Sequence, residues 1–163
     1  HKRIGLGMAY TFQITSVFAN LSLFDNVALA VQRRLARGEG LEAETMAALD
    51  RVGLAGRARQ TAGDLSYGHQ RLLEIAMGLA QRPRLLILDE PTQGLSDGEI
   101  EGFKALVRDV AAEATVLLIE HNMDVVMSLA TRITVLDMGA RLAEGDPAAI
   151  HADAAVQRAY LGG

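Results

Sequence analysis

Apolar positions change their rhythm along the chain. From about residue 20 to residue 80 they recur at helical spacing, and from Leu85 onward short unbroken apolar runs alternate with helical stretches. In the first regime Val27, Ala28, Val31 and Leu35 predict a helix that Asp25 or Asn26 caps, with Arg33, Arg34 and Arg37 suited to its C-terminus and Gly38 and Gly40 marking the break. Met46, Leu49 and Val52 predict a second helix from Leu41 to Val52, which Gly53 ends. Residues 56–63 read as irregular. The stretch from Leu65 to Gln70 introduces a third helix carrying Leu72, Leu73, Ile75, Ala76, Leu79 and Ala80. Ahead of all these, Ala9 to Phe12 reads as a short strand closed by Gln13, and Phe18, Leu21, Leu23 and Phe24 form an apolar cluster.

The second regime begins with four apolar residues, Leu85 to Leu88, followed at once by Asp89 and Glu90 and stopped by Pro91. Such a run predicts a strand buried on both faces, as parallel strands are in α/β proteins. A helix follows through Ile100, Phe103, Leu106, Val107 and Val110, then a strand from Thr115 to Ile119 closed by Glu120, His121 and Asn122. Met123 to Ala130 reads as a helix, Ile133 to Leu136 as a strand, Gly139 as a turn and Arg141 to Ala143 as a return strand. Asp146-Pro147 opens another helix, and Ala154 to Tyr160 reads as a last amphipathic one. The change of rhythm predicts a helical subdomain over residues 18–82 set on an α/β layer over 83–150, with a C-terminal helix over 151–163.

At 163 residues the chain is about one domain long, and because only 4% of it is aromatic, Leu, Ala, Val, Ile and Met must fill the core. A formal charge of −4 argues against broad nucleic-acid binding. The lack of cysteine excludes disulfides, thiolate metal sites and a cysteine nucleophile. No apolar run is long enough to span a membrane. His1, His69, His121 and His151 have neither HExxH spacing nor cysteines around them, which argues against zinc. The opening His1-Lys2-Arg3, without an initiator Met, suggests a fragment, a processed product or an incomplete chain.

Candidate chemistry gathers where elements end. Asp89 and Glu90 fall at a strand's end, the usual ligand crevice of an open α/β sheet. There one carboxylate can hold Mg²⁺ while the other polarises a water, although an acidic turn without chemistry fits the same residues. Ser66 and Gly68 precede a helix and can present backbone N–H groups to an anion, or Ser66 is an ordinary cap. Ser96 followed by Glu99 matches a capping box. Gln13 and His121 close strands and are either ligand contacts or incidental polar residues.

In order, Gln13, the LSYGHQ stretch from Leu65, the LLILDEP stretch from Leu85, the GLS turn at 94–96 and the IEH at 119–121 resemble the nucleotide-binding domain of ATP-binding-cassette (ABC) transporters. The resemblance covers nearly the whole chain. It implies a P-loop NTPase-like α/β core with an inserted helical subdomain, ATP and Mg²⁺ as ligands, and ATP hydrolysis. It assigns Gln13 to the Q-loop, where it helps hold Mg²⁺, Asp89 to the magnesium position and Glu90 to the catalytic glutamate. Leu65, Ser66, Tyr67, Gly68 and His69 take the signature loop that faces the opposite subunit's γ-phosphate, Ser96 the D-loop and His121 the switch histidine. His69 departs from the usual glutamine, Tyr67 from a glycine and Ser96 from an aspartate.

A further departure concerns the N-terminus. No GxxxxGKS/T occurs in the sequence, so the expectation is a core lacking its N-terminal, Walker A-bearing portion, incomplete and inactive in isolation. TFQ at 11–13, the LSYGHQRLLEIAMGLA stretch, IEHNMDVVM at 119–127 and the AYLGG ending are similar to the ATPase subunits of branched-chain amino-acid importers. That likeness implies a second ATPase subunit, homo- or heterodimeric, and transmembrane permease subunits as partners, with a periplasmic binding protein acting indirectly. It implies a cytoplasmic location on the inner face of the membrane. An importer of urea, an amide or another solute, an ABC ATPase outside transport and a catalytically silent interaction fragment are the alternatives.

Overall fold

Ser22 starts the first helix earlier than the apolar spacing indicates. The structure, a computed structural model, describes residues 7–10, 17–35 and 39–161. In it helix α1 runs over Leu23–Gln32, with the Ser22 hydroxyl accepting from the Asp25 N–H at 3.0 Å and donating to the Asp25 carboxylate at 2.6 Å. Asp25 therefore sits in the first turn and not at the cap. Asn26, the other expected cap, is fully buried: its amide accepts from the Phe18 N–H at 2.8 Å and donates to the Phe18 and Ser22 carbonyls at 3.1 and 2.9 Å. A short polar side chain satisfied in this way belongs inside the helix's first turn, because every one of its polar atoms that could pull it towards water is already paired.

The chain divides into two compact units, one ending at Glu120 and one beginning at His121. The first contains β1 (Met8–Tyr10), α1, α2 (Leu41–Arg51), α3 (Tyr67–Leu79), β2 (Leu85–Asp89), α4 (Asp97–Ala111) and β3 (Thr115–Ile119). Two short 3₁₀ turns, Ala55–Arg57 and Ala62–Asp64, occupy the stretch expected to be irregular. Helices α1, α2 and α3 pack on one another around Leu23, Val27, Val31, Leu49 and Leu73, all fully buried. Each such side chain stabilises the fold by about 1.5–3 kcal/mol relative to an exposed one.

The strands of this unit form one parallel sheet in the order β1-β2-β3. Tyr10 pairs with Ile87, and Asp89 with Ile119. Of the two faces of β2 only one is fully covered: Leu86 and Leu88 are buried, whereas Leu85 and Ile87 are partly exposed. The expectation of burial on both faces is thus met on one. The covered face lies under α3, which comes close at Gly78, where an added Cβ would stand 3.5 Å from Leu86 Cδ1 and 3.8 Å from Ala9 Cβ. On β3, Leu117 and Ile119 are about half exposed, at 49% and 46%.

The second unit is built on a hairpin of β4 (Ile133–Asp137) and β5 (Ala140–Gly145). Its two-residue turn has positive φ at both Met138 (46°) and Gly139 (79°), the pattern of a type I′ turn, whose twist suits adjoining strands. Around it lie α5 (Met123–Leu129), α6 (Pro147–Ala152) and α7 (Ala154–Val156). Ile133, Val135, Ile150 and Val156 form its core. Asp146 and Asp153 cap α6 and α7. The single tail helix expected from Ala154 to Tyr160 gives way to a π turn over Gln157–Leu161. The Tyr160 hydroxyl there donates to the Leu136 carbonyl, and the Gln157 amide donates to the His151 carbonyl at 2.8 Å. These tertiary bonds hold the wider turn, which helical spacing alone does not foresee. Among the described residues no helix is long and apolar enough to cross a membrane.

Candidate active site

At the end of β2 the backbone turns sharply. Glu90 has φ of 47°, left-handed geometry that for a non-glycine residue costs roughly 1–3 kcal/mol and persists only where the surroundings enforce it. Its N–H donates to the Ile119 carbonyl at 2.8 Å, extending the sheet one residue past the strand. Two residues on, the Thr92 N–H donates to Glu120 Oε1 at 2.9 Å, and its hydroxyl donates to the same oxygen. The ends of β2 and β3 are thereby tied through side chain as well as backbone, and the strain at Glu90 is held in place.

Asp89 is gripped from two directions. The Tyr10 hydroxyl at the end of β1 donates to Asp89 Oδ2 at 2.8 Å. From α3, Arg71 Nη2 donates to the Asp89 carbonyl, and Arg71 Nη1 pairs with Glu74 Oε2 at 2.7 Å. The side chains of Arg71 and Glu74 are 1% and 7% exposed. Burying two charges costs several kcal/mol each, recovered only with good geometry and further hydrogen bonds. The carbonyl of Asp89 supplies one of those bonds, so the interior ion pair and the strand end that carries the carboxylates are one construction.

The loop after Glu90 leads to α4 and on its way packs against the N-terminus of α3. A Cβ built on Gly68 would fall 2.8 Å from Leu95 Cδ2 and 2.9 Å from the Gly94 carbonyl oxygen. Gly94, with φ of 79°, faces the Tyr67 ring just as closely. The stretch Leu65 to His69 and the turn before Ser96 therefore pack backbone to backbone. Ser66 does act as a cap: its Oγ accepts from the His69 N–H at 3.3 Å and lies 2.7 Å from His69 Nδ1. The Leu65 carbonyl accepts from the Gln70 amide at 3.2 Å.

Ser96 and Glu99 form the capping box that their spacing indicates. The Ser96 N–H and hydroxyl both donate to Glu99 Oε2, at 2.8 and 2.7 Å. These bonds, the hydroxyl first, hold the Glu99 carboxyl below the usual carboxylate range, with His69 and Arg57 adding to the effect. His69 Nδ1 lies 3.5 Å from Glu99 Oε1. The N-termini of α3 and α4 are linked in this way by a histidine and a glutamate that no local pattern pairs.

Of the other residues singled out in the sequence, Gln13 lies outside the described residues. His121 is the first residue of the second unit, followed by Asn122, which caps α5 by accepting from the Val125 N–H at 3.2 Å. The first unit thus contains Asp89, Glu90, the Leu65–His69 stretch and Ser96, and it packs the Leu65–His69 stretch against the turn that precedes Ser96, not against Asp89 or Glu90. Sequence reasoning missed Tyr10, Arg71, Glu74, Thr92 and Glu120. An arginine and a glutamate three apart, the glutamate within the otherwise apolar run from Leu72 to Leu79, were the available signal for the buried pair.

Among the described residues no cluster of three His, Asp or Glu side chains is built to hold a metal ion on its own. Asp89 Oδ1, however, has no protein hydrogen-bond partner among them, since only Oδ2 and the carbonyl are engaged. A single hard oxygen suits Mg²⁺, which keeps most of its waters and takes one or two carboxylates with substrate phosphates. A cleft of about 510 Å³ lies elsewhere, lined by Arg51, Leu79, Arg82, Arg84 and Glu113. Arg84 precedes β2, so this cleft lies at the start of that strand, while Asp89 lies at its end.

The family model described as ABC transporter matches residues 1–93, and that described as branched-chain amino acid ATP-binding cassette transporter matches residues 140–163. BraF of Pseudomonas aeruginosa, a high-affinity branched-chain amino acid transport ATP-binding protein, is 40% identical over 99% of this chain and 70% of its own length. LivG of Salmonella typhimurium, of the same description, is 37% identical over 96% of this chain and 68% of its own. The ADP conformation of MJ1267, an ATP-binding cassette of an ABC transporter, shares the fold with a TM-score of 0.81 at 23% identity, covering 99% of this chain and 71% of that one. The expectation of a core lacking its N-terminal, Walker A-bearing portion is corrected by the first match. The ABC transporter model takes in the chain from residue 1 to residue 93, so the N-terminal region belongs to the family's domain, and β1 within it is a paired strand of the parallel sheet.

Proposed function

The chain belongs to the ABC-transporter family as an ATP-binding ATPase subunit, and from that premise we propose that it energises the import of branched-chain amino acids. The observation that carries the chemical part is the Asp89–Glu90 pair at the end of β2, with Glu90 in strained left-handed backbone. Support for the solute class comes from the match over residues 140–163 and from the likeness to BraF and LivG.

In this reading Asp89 and Gln13 hold Mg²⁺. The bound ion supplies charge compensation on the phosphate oxygens of ATP. Glu90 orients the attacking water and takes its proton, and His121 contacts the γ-phosphate. The stretch Leu65, Ser66, Tyr67, Gly68 and His69, with Ser96, faces the nucleotide held by a second ATPase subunit. Closing that dimer excludes bulk water, which strengthens each of these electrostatic contacts. Residues 18–82 serve as the helical subdomain, 83–150 as the catalytic layer and 151–163 as the C-terminal segment. The working partners are a second ATPase subunit and transmembrane permease subunits, with a periplasmic binding protein acting through them. The working position is the cytoplasmic face of the membrane.

The test is reconstitution with the permease and binding protein in vesicles. ATP hydrolysis and solute uptake stimulated by leucine, isoleucine or valine support the proposal. Stimulation by urea or an amide alone replaces the solute class and leaves the ATPase reading intact. Unchanged turnover in the Glu90→Gln variant removes Glu90 from the chemistry.

A further inference from the structure

Tyr10 ends β1 opposite Ile87, and Asp89 lies two residues further along β2, on the same side of the strand as Ile87. The phenol bridges that offset and donates to Asp89 Oδ2 at 2.8 Å. The backbone of the same aspartate is held by Arg71 through its carbonyl. With its carbonyl and one carboxylate oxygen both fixed, the residue has little freedom left in its side-chain torsions. Its other oxygen, Oδ1, is the one without a protein partner among the described residues.

A carboxylate that ligates a metal is ordinarily held by an outer hydrogen bond that sets its plane. A phenol is well suited to this, because it holds one oxygen without adding positive charge that would oppose a cation at the other. The hydroxyl is also the only difference between tyrosine and phenylalanine, so its contribution can be isolated. We propose that Tyr10 is a positioning residue, whose hydroxyl orients the Asp89 carboxylate to present Oδ1 to a divalent cation. The proposal rests on the reading of Asp89 as the metal-holding residue.

Mn²⁺ is the probe, titrated with ATP into the protein and followed by its paramagnetic resonance signal, with thermal unfolding measured alongside. Removing an outer partner of a metal ligand typically weakens binding about 10- to 100-fold. The expected result for Tyr10→Phe is Mn²⁺ affinity lowered about tenfold, with an unchanged melting temperature and unchanged metal-free nucleotide affinity. Turnover at saturating Mg²⁺ is expected to be retained while the Mg²⁺ concentration for half-maximal rate rises. Unchanged or tighter Mn²⁺ binding in Tyr10→Phe overturns the proposal, the tighter case because the phenol would then be a competitor of the ion. A lowered melting temperature with unchanged affinity overturns it too, as a purely structural bond. Asp89→Asn separates the two levels. If the unaltered protein and Asp89→Asn bind Mn²⁺ alike, or neither binds it, the reading of Asp89 falls and the role of Tyr10 falls with it.

Discussion

Gly94 meets the ring of Tyr67 so closely that a methyl group at position 94 would stand 2.8 Å from Cδ1. The glycine also has φ of 79°, which an L side chain rarely adopts. Gly94→Ala is therefore expected to lose about 1–3 kcal/mol from conformation and crowding together. Gly68→Ala should lose a comparable amount, because the obstructing Gly94 carbonyl is backbone and cannot swing aside. Gly102→Ala is the contrast: it sits within α4 with open space around it and should gain about 1 kcal/mol. Urea midpoints of the three variants check the set.

Strain at Glu90 separates stability from activity. Glu90→Gly is expected to raise unfolding stability by about 1 kcal/mol, because glycine adopts the backbone conformation without penalty. Glu90→Gln keeps the strain and should leave stability within about 0.5 kcal/mol of the unaltered protein. Both variants should lose nearly all turnover. Paired thermal melts and phosphate-release assays read the two quantities separately.

The buried Arg71–Glu74 pair should behave asymmetrically. Arg71→Met leaves a carboxylate in the interior and strips a donor from the Asp89 carbonyl; a loss of about 3–5 kcal/mol follows. Replacing both residues, Arg71→Met with Glu74→Leu, should recover much of that loss. The coupling from a double-mutant cycle in urea measures it, and additive losses would show that the pair does not act as a unit.

Glu99 gives the fold a pH dependence of definite sign. Its carboxyl is held below the usual range by Ser96, so the charged form binds best in the folded state. That stability is fully present above the ordinary glutamate value of about 4.3 and is lost as pH falls through the lowered folded value. Glu99→Gln, which keeps an acceptor for the Ser96 N–H and hydroxyl but loses the charge, should melt slightly lower at neutral pH. The gap should narrow in acid. Melting curves for both proteins across the acid range test this.

What the sequence reveals here is mainly what is local. The strand from Thr115 to Ile119, the cap at Ser66 and the Ser96–Glu99 box depend on neighbours a few residues away, and the structure has them where the pattern indicates. Asp89 and Glu90 were legible as a pair because an apolar run followed by charge is itself local. The bonds that hold them were not. Tyr10 reaches Asp89 across 79 positions of sequence and Thr92 reaches Glu120 across 28, distances set by strand register, which no periodicity encodes. The start of α1 lies earlier than its apolar spacing indicates because Ser22 is the cap and Asn26, a good cap in isolation, is taken up by the backbone of Phe18.

That last side chain has a chemical consequence of its own. Both halves of the Asn26 amide are in use, the oxygen as acceptor and the nitrogen as donor to two carbonyls. Hydrolysis of the amide to a carboxylate would leave the shape almost unchanged and set a negative oxygen against those two carbonyls. The ageing of this one group, slowed by its complete burial, would therefore unfasten the chain from Phe18 to the first turn of α1 without any mutation in the gene.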